Sequence, residues 1–192
     1  SAVKLAGRVA GTTVGILSAV DGKGVSLTGT DYPVYNIARI KRDFGSRSTL
    51  GMAYTDRIEG NNYNRVGELD LRTVFSKLYT LDLQAAGSLN RASGVRTSAP
   101  LWEAQIDRNG REFGFNWKVT GIHPDFRAAS GFLRRTGIIT TNARSRITKY
   151  GQAGATVESF TTQLGATATW DYLGLPHGSP LLQHIITWSN TW

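Results

Sequence analysis

Trp102-Glu103-Ala104-Gln105-Ile106-Asp107-Arg108-Asn109-Gly110-Arg111-Glu112-Phe113-Gly114-Phe115-Asn116-Trp117-Lys118 alternates apolar and polar side chains on both sides of an Asn-Gly pair. Successive side chains of a strand point to opposite faces, so this alternation describes strands with one greasy and one wet face. Asn and Gly accept the positive φ angles of a type I′ turn, which predicts a two-residue hairpin at 109–110. Folding there sets Ile106 opposite Phe113, Ala104 opposite Phe115 and Trp102 opposite Trp117, all on one face. Glu103, Gln105, Asp107, Glu112, Asn116 and Lys118 collect on the other. A one-residue slip would exchange the faces, so turn and alternation agree on one register.

Outward from this hairpin the same two-residue period recurs in segments broken by Gly, Asn, Asp and Pro. It predicts strands near 3–10, 12–20, 33–42, 48–57, 63–75, 77–88, 100–107, 112–122, 136–147, 157–172 and 181–190. Eleven is odd, whereas single-chain bacterial barrels usually have an even number, which points to a miscount or an incomplete wall. Residues 21–31 and 90–99, rich in Gly, Ser and Thr, are expected to be mobile surface connections, where a ligand loop would be sought. Residues 1–192 read as one β-barrel domain or part of a larger one.

Composition supports strands: 22 glycines, many threonines, and only 19% charged residues. With no cysteine, disulfides, thiolate metal sites and a cysteine nucleophile are all excluded. The net charge of +8 raises an anionic partner. Its arginines are spread from Arg8 to Arg146, which disfavours a nucleic-acid surface. No stretch approaches the ~20 apolar residues of a membrane-spanning helix. The opening Ser1-Ala2-Val3-Lys4-Leu5 carries no long apolar core, so the chain reads as a processed protein or a piece of a longer one.

An apolar face can be a soluble core or a lipid-facing wall, and periodicity alone does not choose. Two features favour lipid. Tyr32, Tyr63, Tyr79, Trp102, Trp170, Tyr172 and Trp188 fall near predicted strand ends, as an interfacial girdle would place them. Phe160, Thr162, Leu164, Ala166, Ala168, Trp170 and Tyr172 form one long face. The opposite face is Thr161, Gln163, Gly165, Thr167, Thr169 and Asp171, small and polar as a lumen wall can be. Some faces are mixed: Asn36 shares one with Val34, Ala38 and Ile40, and Arg65 one with Leu69 and Leu71.

Three segments carry a family resemblance. They are Gly7-Arg8-Val9-Ala10-Gly11 with Val14-Gly15-Ile16-Leu17-Ser18-Ala19; Ile37-Ala38-Arg39-Ile40-Lys41-Arg42-Asp43-Phe44-Gly45 with Leu50-Gly51-Met52-Ala53-Tyr54-Thr55-Asp56-Arg57; and His123-Pro124-Asp125-Phe126 with Gly131-Phe132-Leu133-Arg134-Arg135-Thr136. In this order, over roughly residues 5–140, the chain resembles an uncharacterised bacterial domain family. Its members join an amino-terminal module like the family-9 carbohydrate-binding domains to a large region that looks like an outer-membrane β-barrel. The resemblance implies a fragment of the barrel part, without that module, and carries no established catalytic residues.

Candidate chemistry is sparse. His123, His177 and His184 lack the spacing of a helical zinc site, and His123-Pro124-Asp125 reads as a turn before it reads as a base. Glu103, Asp107 and Glu112 share a predicted face, the arrangement a glycosidase pair needs, but Asp107 and Glu112 meet at an exposed hairpin end. No Gly-x-Ser-x-Gly elbow occurs, and Gly110–Gly114 lacks the Lys-Ser/Thr of a phosphate loop.

The expected fold is an all-β, antiparallel up-and-down barrel of outer-membrane type, possibly only part of one. Trp102, Ile106, Phe113, Phe115, Trp117, Phe160, Leu164 and Trp170 would face lipid. Arg8, Arg39, Arg42, Arg72 and Lys118 would supply lumen charge for an anionic or carbohydrate solute. The expected role is a passive solute path, or a bacterial outer-membrane anchor for a missing periplasmic module. Its partners would be the bilayer, the remaining barrel strands or the amino-terminal module; no catalytic residue, metal, cofactor or nucleic acid is implied. The alternative is a soluble β-sandwich or β-barrel binding a small ligand or carbohydrate, with the aromatic face packed inside.

Overall fold

Where alternation is bounded by turn residues the chain forms strands: β1 (Ala2–Val9), β2 (Thr12–Val20), β3 (Val34–Phe44), β4 (Ser48–Glu59), β5 (Asn62–Phe75), β6 (Tyr79–Ala92), β7 (Val95–Asn109), β8 (Phe113–Ile122), β9 (Ile138–Tyr150), β10 (Ser159–Asp171) and β11 (Leu181–Thr191). The computed structural model describes residues 1–174 and 181–192. All eleven strands lie in one sheet, in chain order, and every pair is antiparallel. β1 and β11 are its two edges, so the sheet is open, consistent with a partial barrel. Each predicted strand corresponds to an observed one, with ends shifted by a few residues.

Two local predictions are corrected. The 90–99 segment is not a loose connection. Ser93 (φ 50°) and Gly94 (φ 83°) both take the left-handed region, closing a two-residue hairpin that matches strand twist and lets β6 and β7 run on to Ala92 and Val95. Trp102 therefore sits in the middle of a fifteen-residue strand and not near its end.

The Asn109-Gly110 hairpin also differs. Neither residue has a positive φ. The observed partners are Asn109 with Gly114, Ile106 with Trp117, and Asp107 with Asn116. The chain spends Gly110–Phe113 crossing over, and these residues find partners on β9. Arg146 donates to the Gly110 carbonyl at 2.7 Å, and Thr148 N–H donates to the Glu112 carbonyl at 2.7 Å. Those bonds outweigh the tight turn's local preference. The new register moves partners by an even step, so the predicted faces survive unchanged.

Successive pairings shear steadily. Followed pair by pair, Val9 at the end of β1 lies level with Thr12, Arg42, Leu50, Leu71, Leu83, Ala104, Val119, Thr141, Ala168 and finally His184, near the start of β11. Stagger of this kind accompanies the tilt of strands in a barrel wall.

The two faces are chemically distinct across the whole sheet. One carries Leu5, Ile16, Ile40, Met52, Leu69, Leu83, Trp117, Leu164 and Trp188, and no protein layer covers it among the described residues: Leu69 is 57%, Trp117 53% and Trp188 73% exposed. The other carries most of the ion pairs and a small core, Val66, Ala99 and Phe126, with Ala86, Leu101, Ile122, Ala128 and Leu133 against it. Phe126 is planted there by the β8–β9 connection, residues 123–137. Around Asp56 the apolar face is interrupted by a polar set. Asn36 Nδ2 donates to Asp56 at 3.2 Å, Tyr54 Oη donates to Asp56 at 3.2 Å, and Arg65 lies 4.0 Å from the same carboxylate. These are the residues that made the β3 and β5 faces look mixed in the sequence.

Candidate functional site

The polar face is a wall of paired charges. Arg8 meets Asp43 at 2.5 Å, Arg72 grips both oxygens of Asp82 at 2.9 and 3.0 Å, and Lys118 meets Glu103 at 2.7 Å. Arg39 of β3 reaches Asp70 at 2.6 Å and Glu68 at 3.3 Å on β5, two strands away. It can do so because β4 places only Gly51 and Ala53 beneath it: Arg39 pairs with Ala53, and Gly51 with Asp70. Asp107 accepts from Asn116 at 2.6 Å and from Gln105 at 2.7 Å, and Glu103 accepts from Thr120 at 3.0 Å.

Arg8, Arg39, Arg72 and Lys118 thus share the polar face, but Arg42 does not. Its register puts it on the apolar side, where Nη1 donates to the Ala10 carbonyl at 3.0 Å and to Thr12 at 2.7 Å, clasping the β1–β2 hairpin end. That strand-end role, set by parity, removes Arg42 from the lumen set. Trp102, Ile106, Phe113, Phe115, Trp117, Phe160, Leu164 and Trp170 all lie on the apolar face. Glu112 is separated from Asp107 by the longer turn and stands 4.0 Å from Lys149.

His123 sits in a turn: its Nδ1 accepts from Asp125 N–H at 3.1 Å, its carbonyl accepts from Phe126 N–H at 3.0 Å, and its ring meets Tyr172 edge-on. His184 is on β11 opposite Ala168. His177 lies outside the described residues.

At the end of the sheet where the long connections 21–33 and 123–137 emerge, two polar-face residues tie them inward. Glu59, 2% exposed, accepts from Ser26 Oγ at 2.5 Å, Thr28 N–H at 3.0 Å and Arg57 at 2.7 Å. These hydrogen bonds to its charged form, led by Ser26, suit a carboxylate. Asn64 donates to the Arg127 carbonyl at 3.0 Å and accepts from Ala129 N–H at 2.7 Å. Between the two connections lies a cleft of about 420 Å³, lined by residues that include Thr28, Arg57, Glu59, Asn90 and Arg127. A second, of about 440 Å³, lies along the wall with Arg72, Asp107, Asn116, Arg144 and Gln163 in its lining.

Sequence reasoning missed Glu59, Asn64 and Phe126. A signal existed in Val66, Ala86, Ala99, Leu101 and Ile122, apolar residues at positions that belong to the polar face. Such residues need an inward-folded cover. No family model, curated protein or solved structure matches the chain.

Proposed function

We propose that the chain is part of the wall of a bacterial outer-membrane β-barrel, with the paired-charge face lining a passive path for an anionic or carbohydrate solute. One observation carries this: large apolar side chains cover the side of the sheet that nothing among the described residues packs against, while charge and folded-in connections occupy the other. A lone sheet in water would reverse that arrangement or acquire a second layer, since exposed apolar area costs ~25 cal/mol per Å². Hydrocarbon removes the cost. Every strand but β1, which has eight residues, reaches the ~9–11 residues that cross a bilayer at a 45° tilt, and β7 runs to fifteen.

β1 and β11 run in the same direction, because they are separated by an even number of antiparallel steps. Direct closure would demand a parallel pair. All-antiparallel closure takes an odd number of further strands, which we assign to the rest of a longer polypeptide or to a partner. The family resemblance offers a second use for the same wall, as the anchor of a periplasmic module.

The test is a membrane preparation. The protein should fractionate with outer membranes, need detergent for extraction, and migrate differently on gels with and without heating. Recovery in plain buffer as a compact monomer with shielded tryptophans would overturn the reading and favour a soluble ligand binder.

A further inference from the structure

On the apolar face, at the end carrying the Ser93–Gly94 turn, Arg91 of β6 stands directly opposite Arg96 of β7, with Tyr63 of β5 on the other side of Arg91. Like charges directly opposite in a ladder repel. Among the described residues neither arginine forms an ion pair, and Arg91 Nε is buried without a hydrogen-bond partner. One row further in, Arg65 stacks on the Tyr63 ring at 4.5 Å and is 4.0 Å from Asp56, whose oxygens are already engaged by Asn36 and Tyr54. Among the described residues, Arg91 and Arg96 thus lack a negative partner of their own.

The next row places Gly67, Gly87 and Pro100 side by side. A Cβ on either glycine would meet no protein atom within 4 Å, so nothing inside the chain requires glycine there. Their bareness instead leaves a groove of about 600 Å³ with Tyr54, Leu89 and Arg65 among its walls. An apolar trough leading into a basic cluster fits an amphiphile with an anionic end. Guanidinium groups bind phosphate through several charge-assisted hydrogen bonds, and a methylene chain gains from lying in a trough.

We propose that this groove holds an acyl chain of a phosphate-bearing membrane lipid, with the headgroup bridging Arg91 and Arg96. The site rests on the membrane reading above and adds to it a specific lipid.

The test uses the full chain refolded into detergent micelles, with bound lipid read by native mass spectrometry. Phosphatidylglycerol should be retained about tenfold better than phosphatidylcholine. R91Q/R96Q should abolish that preference, and G87L, which fills the trough, should release the lipid while leaving the arginines in place. K149Q, a basic residue on the same face at the opposite end of the sheet, should change nothing. Equal retention of both lipids, full retention by R91Q/R96Q or by G87L, or displacement of phosphatidylglycerol by inorganic phosphate alone would overturn the lipid site. A chain that folds in buffer and ignores micelles would instead overturn the membrane reading itself. Heat-dependent gel migration of each variant separates lost binding from lost folding.

Discussion

The guanidinium of Arg39 lies 2.6 Å from the Asp70 carboxylate although a whole strand separates them. The intervening β4 offers Gly51 at that level, and the Asp70 side chain occupies the space a Gly51 Cβ would need. A partly exposed pair of this kind contributes ~1 kcal/mol. We expect G51V to displace the carboxylate and cost more than R39Q. In a double-mutant cycle, G51V and D70A together should cost less than the sum of the single changes, read from urea titrations of refolded protein. Strict additivity would contradict the contact.

Leu69 separates two environments. On the folded chain it is 57% exposed, so in water L69R should fall within about ±0.5 kcal/mol of the parent. Facing the middle of a bilayer, the same change should cost about 2–4 kcal/mol. Folding into lipid vesicles, followed by denaturant titration, measures the difference. A neutral L69R in vesicles would argue against lipid on that face.

Glu59 holds the 21–33 connection, and its loss strands the Arg57 guanidinium, only 11% of whose side chain is exposed. Removing one partner leaves the other charge without compensation. E59A should therefore lower stability and speed tryptic cleavage after Lys23. N64A should leave Lys23 protected and instead speed cleavage after Arg127, since Asn64 holds the other connection. Unchanged digestion patterns in both would show that these hydrogen bonds do not hold the connections in place.

The β7–β8 register can be tested by crosslinking, because the chain has no cysteine of its own. Residues facing each other across an antiparallel pair have Cβ atoms ~4.5–5.5 Å apart, close enough for a bridge when the geometry is favourable. I106C/W117C should oxidise readily to an intrachain disulfide, and I106C/F113C should not. The opposite result would restore the tight turn at Asn109-Gly110.

Gly121 is buried beneath the Trp102 indole, which fills the position of its missing side chain. G121A should push the indole off β8 and destabilise the sheet by ~1–3 kcal/mol, the usual cost of overpacking. W102A should largely remove that penalty. Thermal or urea unfolding of the two single variants and the double variant would show whether the contact is as close as described.

What the residues determined unaided was local. A two-residue period marks a strand whatever it packs against, so all eleven strands, their order and the two faces were readable, including the run from Phe160 to Trp170. Long-range competition was not readable. Asn109-Gly110 prefers a tight turn in isolation, and only the proximity of Arg146 and Thr148 on β9 makes the longer crossing better. Arg42's place on the apolar side follows from its parity with Ala38 and Ile40 and was legible from the start, whereas Glu59 and Asn64 look like ordinary strand polars until distant connections arrive to bond them. Tertiary structure decided these because a hydrogen bond between residues far apart in the chain depends on where the whole sheet brings them. The alternation along one strand depends only on the backbone pleat.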